Sequence, residues 1–186
     1  MGKLARRPMT ADRFLRRDMR GYEFVDGRVQ ETGMGAEASW IQARLQRRVG
    51  GFVEAGGLGE PFEAEVMFQC FPHKPQQIRK PDVSFVRTGR LPGGAIPKGA
   101  ISVAPDLVAE VVSPNERADD LAGKVDDFVR AGVPLIWVIY PDSRTVTVHT
   151  GRTATTLTDA DDLTGDPVLP GFRLAVADLF PPAPTP

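Results

Sequence analysis

Asp106-Leu107-Val108-Ala109-Glu110-Val111-Val112, closed by Ser113-Pro114-Asn115, is a short apolar run bounded by breakers. Leu135-Ile136-Trp137-Val138-Ile139-Tyr140 is a second run, rich in β-branched and aromatic residues. Both read as buried strands. The chain between them predicts a helix from about Asp119 to Ala131, capped by Gly132. Strand, helix and strand within about 35 residues make a crossover unit, which brings the two strands parallel into one sheet.

Hairpins flank that unit. Tyr22 to Glu31 turns on Asp26-Gly27, and Thr145–His149 returns from Asp142-Ser143 beside the second apolar run. Ile41, Leu45, Val49, Phe52 and Val53 have helical spacing from Ala36 to about Ala55, and Gly56-Gly57 stops them. Thr10 predicts the cap of another helix reaching about Arg20. A strand pair is expected near Phe62–Phe71 and Ile78–Val86, joined by Pro72-His73-Lys74-Pro75. Residues 89–100 form a Gly/Pro loop, and short strands and turns fill the rest through Phe180. The fold class is mixed α/β (α+β) with one central sheet.

With 186 residues the chain is one domain, expected over 1–180 with a flexible basic start over 1–9 and a disordered Pro-rich tail over 181–186. The single cysteine, Cys70, excludes an intramolecular disulfide and a cysteine-based zinc site. His73 and His149 are the only histidines, so metal chemistry would fall to oxygen ligands and to Mg²⁺, Mn²⁺ or Ca²⁺. A net charge of -1 excludes a wholly basic coat for nucleic acid. Within residues 1–20, however, seven basic side chains (Lys3, Arg6, Arg7, Arg13, Arg16, Arg17, Arg20) face Asp12 and Asp18, the pattern of a phosphate-contacting arm or of a solvated helix face. No stretch approaches a membrane span or a signal-peptide core, so the cytoplasm is the expected location.

Three ionisable residues stand where the apolar pattern does not invite them. Asp82 follows Pro81 at the head of Val83-Ser84-Phe85-Val86, Glu110 lies inside its apolar strand, and Lys124 flanks the stripe of Leu121, Val125 and Phe128 by about 60°. Burying a carboxylate without a partner costs several kcal/mol, so Glu110 needs a partner or a purpose. Singly, each has a bland reading: a structural ion pair, a turn, a snorkelling lysine. Together, two carboxylates on adjoining strands can chelate a hard cation, and an ammonium beside them can orient water and offset negative charge. That is an inventory for phosphodiester hydrolysis. Gly56-Gly57 and Gly93-Gly94 lack the lysine of a phosphate-cradling loop, and Ser113 is in no nucleophile elbow.

Arg79-Lys80-Pro81-Asp82, Ala104 to Pro114 with Glu110, Asp120-Leu121 with Lys124, Gly132-Val133 and Trp137-Val138 together resemble the Uma-type "putative restriction endonuclease" family of the PD-(D/E)XK nuclease superfamily. Tyr22-Glu23 with Asp26-Gly27, and Val168 to Phe172 before Leu179-Phe180, resemble its opening and closing signatures, so the likeness spans roughly residues 10–180. The resemblance implies a restriction-endonuclease-like core, a central mixed sheet flanked by helices with extra hairpins. It implies a DNA endonuclease using Mg²⁺ (or Mn²⁺), with Asp82 and Glu110 as ligands joined by the Val111 carbonyl. The superfamily lysine should fall at Val112, and Lys124 matches the version in which it sits on the next helix. Glu23 matches an auxiliary carboxylate. The family's histidine early in the second helix is replaced here by Ala38-Ser39-Trp40, and Phe128 stands where tyrosine is common.

Lys74, Arg79, Lys80, Arg87 and Arg90 bracket Asp82 and are candidate phosphate contacts; the site assignment keeps Arg79, Lys80 and Arg87. A homodimer follows from cutting two antiparallel strands, an argument from function alone. The competing readings are a catalytically silent nucleic-acid- or protein-binding module on the same fold, and a metal-dependent phosphodiesterase for a small molecule.

Overall fold

The structure is a computed structural model and describes residues 9–182 apart from 18, 32 and 115. The leader expected over 1–9 falls outside the described residues up to residue 8, with Lys3, Arg6 and Arg7, and the expected tail falls outside them from residue 183.

Thr10 caps helix α1 (Ala11–Leu15), its Oγ1 accepting from the Arg13 N–H at 3.3 Å. The helix is shorter than expected and ends well before Arg20. Ala11 and Phe14 are fully buried, whereas Arg16 and Arg17 bring no apolar face to hold another turn. Strands β1 (Tyr22–Val25) and β2 (Arg28–Glu31) form the predicted hairpin, with Asp26 at φ 46° and Gly27 at φ 77° as a two-residue turn requires. Helix α2 (Ala36–Gly56) buries Ile41, Leu45, Val49 and Val53 along one stripe, and Gly57 ends it in the left-handed region.

The central sheet holds β3 (Gly59–Glu63), β4 (Val83–Arg87), β5 (Leu107–Val111), β6 (Leu135–Tyr140), β7 (Thr145–Thr150) and β8 (Thr153–Leu157), in that order. Only β5 and β6 are parallel, and α3 (Ala118–Arg130) joins them, so the crossover unit is as read. A hairpin of β9 (Asp162–Gly165) and β10 (Leu169–Ala175) closes the chain. Among the described residues no helix is long and apolar enough to cross a membrane.

One strand pair differs from expectation. β3 ends at Glu63 and β4 begins at Val83, and the chain between them makes only isolated bridges, Phe68 with Arg79 and Ile101, and Ile78 with Phe24. Pro72, Pro75 and Pro81 cannot donate to a ladder. The segment is held instead by burial of Phe68, Phe71 and Ile78.

The strands' period of two divides the core. Val83, Phe85, Leu107, Ala109, Val111, Trp137 and Ile139 pack with α2 and the closing hairpin. Val86, Val108, Ile136 and Val138 pack on the other face with Leu121 and Phe128 of α3. In the antiparallel register Val83 faces Ala109, so one step further Asp82 stands opposite Glu110, on the α3 face.

Candidate active site

Asp82 lies just outside β4, half-buried, and its Oδ2 accepts the Val111 N–H at 2.7 Å. That bond ties the end of β4 to β5 where ladder pairing has stopped. Gln42 of α2 donates to the Asp82 carbonyl at 3.1 Å and fixes the same point from the other face. One step beyond the last ladder pair, Asp82 is near enough to Glu110 for its charge to help raise the Glu110 pKa.

Lys124 comes to them from α3. Leu121, Lys124, Asp127 and Phe128 are the buried positions of that helix, a three-and-four spacing that aims one face at the sheet. The Lys124 ammonium lies 2.7 Å from Glu110 Oε2, 3.3 Å from Glu23 Oε1 and 3.5 Å from the Lys80 carbonyl. The side chain that the pattern set on the flank of the stripe thus points inward. Val112 shares the Glu110 face as the strand period requires, packing against the α3 core.

Glu23 is delivered by the first hairpin. Phe24 and Ile78 exchange backbone hydrogen bonds of 3.2 and 2.8 Å, which lays β1 beside residues 78–80. Glu23 Oε1 then accepts the Lys80 N–H at 2.6 Å, and its Oε2 accepts Arg79 Nη1 at 3.1 Å. Arg79 continues to Asp127, donating through Nη2 at 2.6 Å and Nε at 3.1 Å to Oδ2. Gln77 also donates to that oxygen, and His73 Nε2 and Lys74 Nζ each lie 3.2 Å from Oδ1. An unbroken line of buried charge therefore runs from Asp127 through Arg79, Glu23 and Lys124 to Glu110.

Of three expected phosphate contacts, Arg79 and Lys80 are taken up by ion pairs within the fold, and Arg87 is exposed but lies apart from the cluster. Arg79 is 4% exposed and its guanidinium is divided between two carboxylates. Lys80 is 8% exposed, with its ammonium on Glu65 Oε2 at 2.5 Å and the Met19 carbonyl at 2.8 Å. Arg87 falls on the opposite sheet face from Asp82 and Glu110, where it donates to the Pro167 and Val168 carbonyls. Lys74 is engaged by Asp26 and Asp127, and Arg90 by Asp106 at 2.7 Å.

Burial dominates the titration of this cluster. It pushes Asp82 up to about 6, although Lys124 and the Val111 N–H pull the other way. Burial also carries Glu110 well above the carboxylate range; Lys124 opposes the shift, while Asp82 and Glu23 add to it. For Lys124 burial favours the neutral amine, but Glu110, Glu23 and Asp82 together outweigh it and hold the pKa raised. Burial would likewise raise Asp127, yet Arg79 and its other donors keep it lowered. Asp127 is served by both Arg79 and Lys74, whereas Asp82 and Glu110 share Lys124, so carboxylates outnumber cations at the Lys124 end of the line. Glu110 Oε1 is buried with no hydrogen-bond partner.

Sequence reasoning missed Asp127 and Gln77. Asp127 carried a signal, since it lies three residues after Lys124 and beside Phe128, on the inward arc of the same helix. Gln77 carried none, because its burial depends on a loop folding back over α3.

The family model described as "Uma2: Putative restriction endonuclease" matches residues 11–177. Among solved structures, the chain is similar to a "putative nuclease belonging to DUF820" from Anabaena variabilis ATCC 29413, with a TM-score of 0.78 and 22% identity over 93% of this chain and 98% of that one. That likeness establishes the shared fold. Among curated proteins none matches this sequence.

Proposed function

This chain belongs to the Uma2 family, and from that footing we propose that it is a divalent-metal-dependent endonuclease that hydrolyses phosphodiester bonds of DNA. One observation carries the reading. Glu110 Oε1 is a buried acceptor without a donor, and the charge of a second carboxylate, Asp82, acts on it. A divalent cation set between the two carboxylates would take that oxygen as a ligand and draw both acids into their ionised form.

The donor set fits a hard cation. Among the described residues no three His, Cys, Asp or Glu side chains are grouped to hold a metal, so the protein would offer Asp82, Glu110 and the Val111 carbonyl. The Val111 N–H bonds Asp82, and a residue's N–H and C=O leave an antiparallel strand on the same edge, so the carbonyl faces the same space. Mg²⁺ and Mn²⁺ accept one or two carboxylates and leave other positions to water and phosphate oxygens. When bound, such a cation supplies Lewis-acid polarisation of the phosphoryl group and neutralises part of its charge.

The remaining roles belong to the chain. Lys124 has three N–H donors, two of them directed at Glu110 and Glu23. The third, 3.5 Å from the Lys80 carbonyl, is weakly held and can turn to a phosphate oxygen or to the attacking water. Glu23 positions Lys124, and the pair of Arg79 and Asp127 positions Glu23. Cleaving both strands of a duplex calls for two such sites, which a twofold homodimer would provide; the cytoplasm is where this reading puts the reaction.

Incubating the protein with supercoiled plasmid in Mg²⁺, Mn²⁺ or EDTA tests the proposal. Nicked or linear product in either metal but not in EDTA is the expected result. Intact plasmid in both metals, with DNA still bound, would instead make the chain a binding module. Hydrolysis of a chromogenic phosphodiester with DNA untouched would point to a small-molecule substrate.

A further inference from the structure

A cavity of about 500 Å³ opens beside Lys80, the residue whose carbonyl faces Lys124. Phe14 and Leu15 of α1, the arginines that follow the helix and the chain from Glu63 to Met67 line it. Arg16, Arg17 and Arg20 are exposed and face this cavity within one turn of chain. Arg16 is stationed by its Nε, which donates to the Asp12 carbonyl at 3.2 Å.

Two carboxylates share the cavity, Glu63 and Glu65, but Glu65 is already engaged. Its Oε1 accepts the Gly21 N–H at 2.8 Å and its Oε2 takes the Lys80 ammonium at 2.5 Å. Lys80 in turn reaches the Met19 carbonyl at 2.8 Å and lies 5.9 Å above the Phe14 ring. Glu65 holds φ at 78°, a left-handed conformation unusual for a side chain of its kind, and these bonds keep it there. The effect is a clamp that docks the arginine-bearing turn on the loop after β3. Lys80 is therefore a shared wall: its side chain braces this cavity, while its N–H and C=O meet Glu23 and Lys124.

We propose that this cavity is a subsite for the DNA backbone, in which Arg16 and Arg17 hold a phosphodiester flanking the one presented to Asp82 and Glu110. Planar guanidinium forks suit phosphate oxygens, and contacts of this sort position a duplex without reading its bases. Asp82 is two residues from Lys80, within about 7 Å along the chain, so the cavity lies beside the end of β4 that carries this carboxylate. The inference rests on the endonuclease reading for its substrate, yet it is tested by binding alone.

Full-length protein in EDTA would be titrated against a fluorescein-labelled DNA duplex by anisotropy, over a range of NaCl. Arg16→Glu/Arg17→Glu is compared with Arg47→Glu/Arg48→Glu, the same charge change on the exposed face of α2. The first pair should weaken binding at least about tenfold and lower the salt slope by about one, for the one phosphate no longer held. The control pair should cost far less at each salt concentration. Equal losses for the two pairs, or an unchanged slope, overturn the subsite. Displacement of the duplex by sodium phosphate well below the matching ionic strength of NaCl would also overturn it, in favour of a free-phosphate site. Arg16→Gln/Arg17→Gln should act in the same direction at smaller size, which guards against misfolding by charge reversal. If plasmid stays intact in every metal while the first pair selectively loses binding, the subsite stands and the endonuclease reading falls. If plasmid is cut but the first pair binds like the wild type, the endonuclease reading stands and the subsite falls.

Discussion

Lys124→Met separates a working ammonium from a structural one. At an effective dielectric of about 20, unit charges 2.7 Å apart attract by about 6 kcal/mol. Desolvation of the ammonium cancels a large part of that, and breaking a buried pair from one side costs about 3–5 kcal/mol. Methionine keeps the length of the stem, so the loss is of charge and donors rather than of packing. Glu110 is then buried without a counter-charge while Glu23 keeps Arg79, and Glu110, already raised by burial, rises further. A carboxylate whose folded pKa lies above its unfolded value is stabilising only when protonated. The variant should therefore lose about 3–5 kcal/mol near pH 8 and recover part of it as the pH falls toward 5. Urea unfolding in EDTA at both pH values measures this. Cleavage should drop about a hundredfold or more, as when one donor to a developing negative charge is removed. A loss under about 0.5 kcal/mol at pH 8, the size expected of a surface substitution, would refute the buried pair. Wild-type cleavage by a destabilised variant would leave Lys124 structural only.

Asp82→Ala should abolish metal-dependent plasmid cleavage, a loss of several kcal/mol with each ~1.4 kcal/mol a factor of ten, while circular dichroism stays unchanged; cutting at the wild-type rate would place the site elsewhere. Burial raises Asp82 from 3.8 to about 6, so its contribution to stability is present below about pH 4 and lost as the pH climbs through 6. Asp82→Asn should thus match the wild type near pH 4 and exceed it by about 3 kcal/mol near pH 8 in EDTA, and an asparagine variant less stable at pH 8 would contradict that sign. Saturating Mg²⁺ should shrink the difference by binding the ionised carboxylate, which a thermal-shift series with and without metal would register. Asp127→Ala strands Arg79, Gln77 and His73 around an empty position and should cost about 3–5 kcal/mol of unfolding free energy; a loss under about 1 kcal/mol would show that the charged line tolerates a break.

Local rules made the crossover legible, because its elements are determined by contiguous residues. Leu135 to Tyr140 is apolar at every position, and β6 occupies those six residues. The spacing from Ile41 to Val53 produced α2, and Asp26-Gly27 produced its hairpin, since a turn needing two positive φ angles admits few dipeptides. Glu110 stood out for the same reason: an acid inside an apolar strand conflicts with its neighbours. The expected pair over Phe62–Phe71 and Ile78–Val86 exists at its outer ends, where β3 meets β4; the apolar aromatics between them suit a strand, but the prolines deny the ladder.

Charge partnership was another matter. Residue types and spacing pointed to Asp82, Glu110 and Lys124, and the resemblance added Glu23, because these depend on strand period and helix angle. Whether a basic residue near them is free for phosphate depends on which acids reach it across the fold. Arg79 meets Glu23 from 56 residues away and Asp127 from 48, so a surface-like motif, Arg79-Lys80-Pro81-Asp82, became a buried ion network. Side-chain pairing across such distances is set by how hairpin, loop and helix dock, and no local pattern encodes that docking. The chain's periodicity and composition therefore picked out Asp82 and Glu110 on strands of one sheet, whereas the β4–β5 register brought them to one face and the packing of β1 and α3 over it settled which cations meet them.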